Sequence, residues 1–167
     1  MLSDYSPHWP NLFEGEAEVL REAFAPAAIA VEHIGSTSVP GMVAKPIIDI
    51  VLGADSLASI EDAIPALNAT GYRYVPEYES QLPERRYFVK PGTRPSLFHV
   101  HAVVRDDALF REHLAFRDAL RGNRQLFGEY LALKRRLALT LSHDRKAYTD
   151  AKAPFIRGVL DRLATEA

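Results

Sequence analysis

The stretch Glu32-His33-Ile34-Gly35-Ser36-Thr37-Ser38-Val39-Pro40-Gly41-Met42-Val43-Ala44-Lys45-Pro46-Ile47-Ile48-Asp49-Ile50-Val51-Leu52 decides how this chain is read. A short apolar strand runs into a Gly-Ser-Thr-Ser turn. A connection broken by Pro40-Gly41 follows, and then a second apolar strand that carries one carboxylate, Asp49. On that strand Ile48, Ile50 and Leu52 share one face, plainly core, while Ile47, Asp49 and Val51 share the other. An acid inside an apolar strand is costly unless it is paired, hydrogen-bonded or bound to a cation. Glycine and small hydroxyl residues after a strand let backbone N–H groups approach a phosphate. Together these features predict a nucleotide and metal site. The plain alternative for Asp49 is a structural acid accepting hydrogen bonds from the 35–38 turn.

Working outward, Phe13, Ala17, Leu20 and Phe24 recur at helical spacing and predict a first helix ending near Pro26. Pro7 and Pro10 around Trp9 predict an irregular leader with Trp9 as a clasp. Residues 28–34 and 46–53 read as strands. Leu57, Ile60, Ile64 and Leu67 form a second helical stripe that Pro65 should kink or restart. Tyr72–Pro76, Arg86–Lys90 and Leu97–Val104 read as an antiparallel meander, with Pro-Gly and Arg-Pro turns between the last two. From Asp106 onward the pattern is helical. Asp106 or Asp107, Asn123 and Asp144 are available as caps, and Pro154 is expected to kink the last helix. The plan is α+β: a helix, a mixed sheet, and a three-helix tail covering a sheet face, in one domain over residues 1–167.

Bulk properties narrow the function. The 167 residues suit one core, and the net charge of -2 argues against a general nucleic-acid binder. The chain has no cysteine, which removes disulfides and thiolate metal sites. It has no secretory signal pattern and no apolar run of membrane-spanning length, so a cytoplasmic protein is expected.

Several further groups could carry chemistry. His99 and His101 leave one face of a strand, and two neutral imidazoles so placed can join Asp49 around one divalent ion. Glu32 could add an acid and His33 a hydrogen bond. Lys45, Arg85, Arg86, Lys90, Lys134 and Lys152 could line an anion site, with Arg86 suited to bidentate phosphate contacts. For Lys134, Arg135 and Arg136 a solvated surface is the better reading. Tyr148 and Lys152 lie one helical turn apart. Glu77, Glu79 and Glu84 could supply more ligands or simply solvate a loop. The turn lacks P-loop spacing, and Ser36 lacks the Gly-x-Ser-x-Gly setting of a hydrolase nucleophile.

Residues 32–52, Arg86-Tyr87-Phe88, Phe98-His99-Val100-His101, Glu129-Tyr130 through Lys134, and Tyr148-Thr149-Asp150-Ala151-Lys152 closely resemble the GrpB family across nearly the whole chain. That family is similar to the nucleotidyltransferase superfamily, marked by a Gly-Ser pair followed by Asp-x-Asp or Asp-x-Glu on a strand. Gly35-Ser36 and Asp49 fit that mark. The paired acid is absent, since Ile47 and Val51 stand two residues either side.

The resemblance implies a mixed nucleotidyltransferase-like sheet. It also implies transfer of a nucleoside monophosphate from a nucleoside triphosphate to an unknown acceptor, with Mg²⁺, Mn²⁺ or Zn²⁺ as cofactor. Asp49 and Lys45 would be catalytic. Gly35, Ser36, Thr37, Ser38, Arg86, Tyr148 and Lys152 would bind substrate; on our own reading of the residues, apart from the resemblance, Asp49, His99, His101 and Glu32 would hold metal, the histidines replacing the missing acid. The alternatives are a non-catalytic domain for a nucleotide or phosphorylated metabolite, and a metal-dependent phosphohydrolase using Asp49, His99 and His101. A fusion of GrpB-like segments to dephospho-coenzyme A kinase, also implied by the resemblance, points toward nucleotide or coenzyme A metabolism.

Overall fold

The computed structural model describes residues 2–91 and 97–167. The first helix, α1 (Trp9–Phe24), begins four residues before the expected stripe, with Pro10 in its first turn where no donor is lost. Trp9 is therefore a helix residue buried in the core against Tyr5, and not part of an irregular leader. β1 (Ala30–Ile34) leads through a 3-10 turn, Ser36–Ser38, to β2 (Ile47–Ala54). Pro65 splits the next stripe into α2 (Leu57–Asp62) and α3 (Ile64–Ala69), and the proline sits in the first turn of the restarted helix. β3 (Arg73–Tyr74), β4 (Arg86–Pro91) and β5 (Leu97–Val104) form the expected antiparallel meander. The turns expected between β4 and β5 fall in 92–96, outside the described residues.

The sheet order is β1-β2-β5-β4-β3. β1 pairs antiparallel with β2, and β2 pairs parallel with β5, so the sheet is mixed. The α2–β4 crossover between β2 and β5 lets those two strands run parallel although they are distant in sequence. One face carries Ile48, Ile50, Leu52, Phe88, Val100 and Ala102, all fully buried under Phe13, Ala17 and Leu20 of α1 and Ile60 and Leu67 of α2 and α3. Each of the larger chains contributes roughly 1.5–3 kcal/mol by leaving water.

The other face takes α4 (Ala108–Gly122), whose Phe110 and Leu114 pack on Ile34, Val51 and Val103. Asp107, Asn123 and Asp144 each accept a hydrogen bond from the third backbone N–H beyond them. They cap α4, α5 (Arg124–Thr140) and α6 (Arg145–Glu166) as expected. α6 continues through Pro154 as one helix. α5 and α6 pack on α4 and on Val39 and Met42 of the β1–β2 connection. The tail therefore covers the sheet with α4 and grips the Gly35–Pro46 connection with the other two helices.

Candidate functional site

The site forms where α4 leaves the second face uncovered. Residues paired across strands share a face, and Asp49 lies directly beside His99, with Val51 beside His101 and Tyr87 beside His101 on the far side. Asp49 Oδ1 stands 3.6 Å from His99 Nδ1 and 3.5 Å from His101 Nε2. The carboxylate is 29% exposed, whereas His99 is buried. Burial works against its charge. The hydrogen bond from His101 and the positive fields of His101, His99 and Lys152 outweigh it, and the carboxyl is held below its usual value. Burial lowers His99, with Asp49 opposing.

The glycine of the Gly-Ser pair has a steric cause. Gly35 has φ +71, and a Cβ there would lie 2.6 Å from Asp49 Oδ2. The turn backbone thus rests directly on the carboxylate, an approach only glycine permits. Gly35 is exposed and Ser36 half-buried, so this edge of the turn is open. The other two hydroxyls are spent internally. Thr37 Oγ1 donates to the Ile47 carbonyl at 2.9 Å and meets His33 Nε2 at 3.0 Å, and Ser38 Oγ donates to the Gly35 carbonyl. Because Thr37 donates onward, it accepts from His33, which carries its proton on Nε2. His33 stacks on Phe13 in the core, and burial holds its pKa down at about 4.

Tyr148 is the hub of the cationic side. Lys45 and Lys152 both reach its buried ring, with ammonium groups 4.8 and 4.7 Å from its centroid. Its hydroxyl is buried and has no hydrogen-bond partner among the described residues. Burial lowers both lysines, Arg145 adding to the effect at Lys45 and Lys45 at Lys152, while Asp49 pulls Lys152 back up. Lys134 is buried, not solvated. It donates to the Val43 carbonyl and lies 5.6 Å from the Tyr130 centroid, and burial lowers it to about 7. Its position on the buried stripe with Leu126 and Tyr130 is the helical spacing that could have found it.

Other candidates are not brought to the site. Arg86 belongs to the opposite sheet face, where it pairs with Glu61 at 2.8 Å and Glu79 at 3.7 Å. Lys90 reaches Glu16 at 2.7 Å. Glu32 shares the face of Asp49 but pairs with Arg117 of α4 at 2.7 Å. Arg85 supplies what its neighbour Arg86 does not, with Nη1 3.1 Å from His101 Nδ1 and its guanidinium over the Tyr87 ring. Arg145, whose field acts on Lys45 and His99, and His113, whose ring lies 5.3 Å from His101, had no motif to mark them.

A profile described as "GrpB protein" matches residues 1–162. The chain belongs to the GrpB family. The family relatives include the UPF0157 protein YqkA of Bacillus subtilis, 36% identical over 92% of this chain and 44% of that protein. A UPF0157 protein of Streptomyces coelicolor is 38% identical over 96% of this chain and 82% of its own length. The crystal structure of GrpB from Enterococcus faecalis superposes with a TM-score of 0.87 at 32% identity, covering 99% of this chain and 98% of that one. Terminal uridylyl transferase 4 from Trypanosoma brucei, with bound dUTP, superposes with a TM-score of 0.56 at 12% identity, over 82% of this chain and 46% of that one. That likeness shows a nucleotidyltransferase-like fold for this GrpB chain. Among the described residues no helix is long and apolar enough to cross a membrane.

The fold implies a divalent metal, and the donor set can be tested against one. The separations of 3.5 and 3.6 Å are near the roughly 3.4 Å edge between ligands of a small tetrahedral ion. The chemistry is otherwise wrong. Magnesium wants oxygen ligands in octahedral array, and Asp49 is a lone carboxylate between imidazoles, under the positive field of Lys152. Among the described residues no three His, Cys, Asp or Glu side chains are set to hold an ion. The residues present do not fit a magnesium site of the kind the fold implies.

Proposed function

We propose that this GrpB chain binds a nucleoside triphosphate, or a phosphorylated metabolite presenting the same anion, over Asp49, Gly35 and Ser36. The observation that carries the reading is the pair of ammonium groups, Lys45 and Lys152, gathered on the Tyr148 ring beside a single carboxylate. Two ammonium groups drawn out of water near one another are costly until an anion joins them. Lys134 and the exposed Arg145 add to the positive excess. The phosphates would meet Lys45 and Lys152 as charge partners and the open edge of the Gly35–Ser36 turn as hydrogen-bond donors.

Calorimetry with ATP, GTP, CTP, UTP and inorganic triphosphate tests this on the wild type and on Lys152→Met and Lys45→Met. At least one ligand should bind, and each methionine variant should weaken it tenfold or more. Failure of all five to bind, or binding untouched by both variants, would sink the reading.

Nucleotidyl transfer is a second reading, favoured by one observation: Asp49 is held ionised and remains partly exposed. In that reaction an acceptor hydroxyl gives its proton to Asp49, its oxygen bonds the α-phosphorus, and the bond to the leaving pyrophosphate breaks. Lys45 and Lys152 meet the charge on the departing pyrophosphate. Pyrophosphate release in the presence of an acceptor, abolished in Asp49→Asn, is the check. The hydrolase reading through a bound ion has less support, because the donor set does not fit magnesium.

A further inference from the structure

The neighbour of His101 decides what its ring can do. Arg85 Nη1 lies 3.1 Å from His101 Nδ1. A guanidinium only donates and stays charged throughout the accessible pH range. The Nδ1 atom must therefore present its lone pair, and the proton of the neutral ring sits on Nε2, the atom 3.5 Å from Asp49 Oδ1. A metal-binding histidine has the reverse arrangement. Its free nitrogen gives N–H to a carboxylate or carbonyl, and that bond keeps the ligating lone pair available. Here the second partner is a donor, so the lone pair is used up on the wrong side.

The ring has little freedom to escape this. It lies between Tyr87, at 5.2 Å and 38°, and His113, at 5.3 Å and 42°. The charged or titratable groups facing it are Asp49, Arg85, Tyr87, His99 and His113. Arg85 is itself fixed over the Tyr87 ring, 4.9 Å from the centroid. The cluster thus forms a line, Arg85 to His101 to Asp49, in which the Arg85 hydrogen bond turns the His101 Nε2–H toward the carboxylate 3.5 Å away.

We propose that Arg85 is a positioning residue that locks His101 as the Nε2–H tautomer, making it a proton donor to Asp49 and excluding a divalent cation from the carboxylate. The site is thereby committed to hydrogen bonding and anion recognition, although its residue types look like a two-histidine, one-carboxylate metal set. The inference concerns the free protein and stands apart from the identity of the phosphorylated ligand.

The test reads the tautomer directly. Long-range ¹H–¹⁵N correlation on histidine-labelled wild-type protein at neutral pH, with His101→Gln to assign the signal, should show His101 protonated on Nε2 alone. Arg85→Lys keeps a donor and should keep that tautomer. Arg85→Glu offers an acceptor and should move the proton to Nδ1, and the freed Nε2 should raise Co²⁺ affinity at least tenfold over wild type. That gain should vanish in Arg85→Glu combined with His101→Gln.

The proposal is overturned by a wild-type ring protonated on Nδ1, by an unchanged tautomer or no gain in Co²⁺ affinity in folded Arg85→Glu, or by wild-type Co²⁺ binding that His101→Gln removes. If Arg85→Glu does not fold, the wild-type tautomer and its retention in Arg85→Lys still decide the matter.

Discussion

The two faces of β2 solve opposite problems within eight residues. Ile48, Ile50 and Leu52 point into a closed layer under α1, α2 and α3, and every one is fully buried. Asp49, one residue away, points toward a surface that α4 covers only at Val51 and beyond. The apolar face is stabilised by area and close packing, so it tolerates no gap. The polar face is organised by direction: Gly35 against Oδ2, and two imidazoles against Oδ1. The lesson is that one strand can be rigid because of one face and chemically useful because of the other.

Breaking the comparison from the core side should have the largest effect. Ile50→Ala leaves a cavity where nothing can relax, and is expected to cost about 3–4 kcal/mol in urea unfolding, with ligand affinity lost only as the protein unfolds. Asp49→Asn is its counterpart: stability should stay within about 1 kcal/mol of wild type, and on the proposed transfer reading pyrophosphate release should be lost. If both variants lost stability equally, the division of labour between the faces would be wrong.

Gly35→Ala tests the joint between the faces. A left-handed φ and a methyl 2.6 Å from Asp49 Oδ2 should displace the turn. A loss of about 1–2 kcal/mol and at least a tenfold loss of nucleotide affinity are expected, read by melting and calorimetry. An unchanged affinity would show that the turn does not meet the ligand.

Each face also holds a neutral histidine, His33 against Phe13 and His113 against His101. Burial, helped by neighbouring positive charge, lowers them to about 4 and about 3 from an ordinary 6.5. The unfolded chain therefore binds more protons than the folded one below pH 6.5, and stability falls as pH drops through that value toward 4 and then 3. Asp49, with its lowered pKa, adds a loss of the same sign at lower pH, below the ordinary 3.8. His33→Phe and His113→Phe should each flatten the slope of unfolding free energy between pH 6.5 and 4. A slope unchanged in both variants would remove them as its cause.

The smallest effect belongs to Arg86→Ala. Its pairs with Glu61 and Glu79 lie on the far side of the sheet near solvent. Less than about 1 kcal/mol should be lost, with ligand affinity untouched. A large loss of affinity would return Arg86 to the site and sharpen the contrast with Arg85 in the opposite direction.

Much of this was legible in the residues. Alternation at 46–53, the stripes of the helices and the caps Asp107, Asn123 and Asp144 each rest on neighbours a few positions away, and those local preferences survived folding almost unchanged. The Gly35 and Asp49 pairing was visible as a motif because glycine is the one residue the approach allows. Trp9 was misread because proline in a first helical turn looks, in a string of residues, like a break. Lys134 was misread because adjacent basic residues resemble a solvated run, while the helical period turns only one of them inward.

What the sequence determined by itself was therefore the set of elements, the core face of each, and the chemical types available near Asp49. Tertiary structure decided which of those types meet. The parallel pairing of β2 with β5 sets His99 beside a carboxylate fifty positions earlier, and the register of β4 sends Arg86 to one face while Arg85 reaches His101. Local sequence fixes backbone shape through short-range sterics and burial. Partners, proton positions and the choice between cation and anion depend on contacts between distant segments, and those exist only once the sheet has closed.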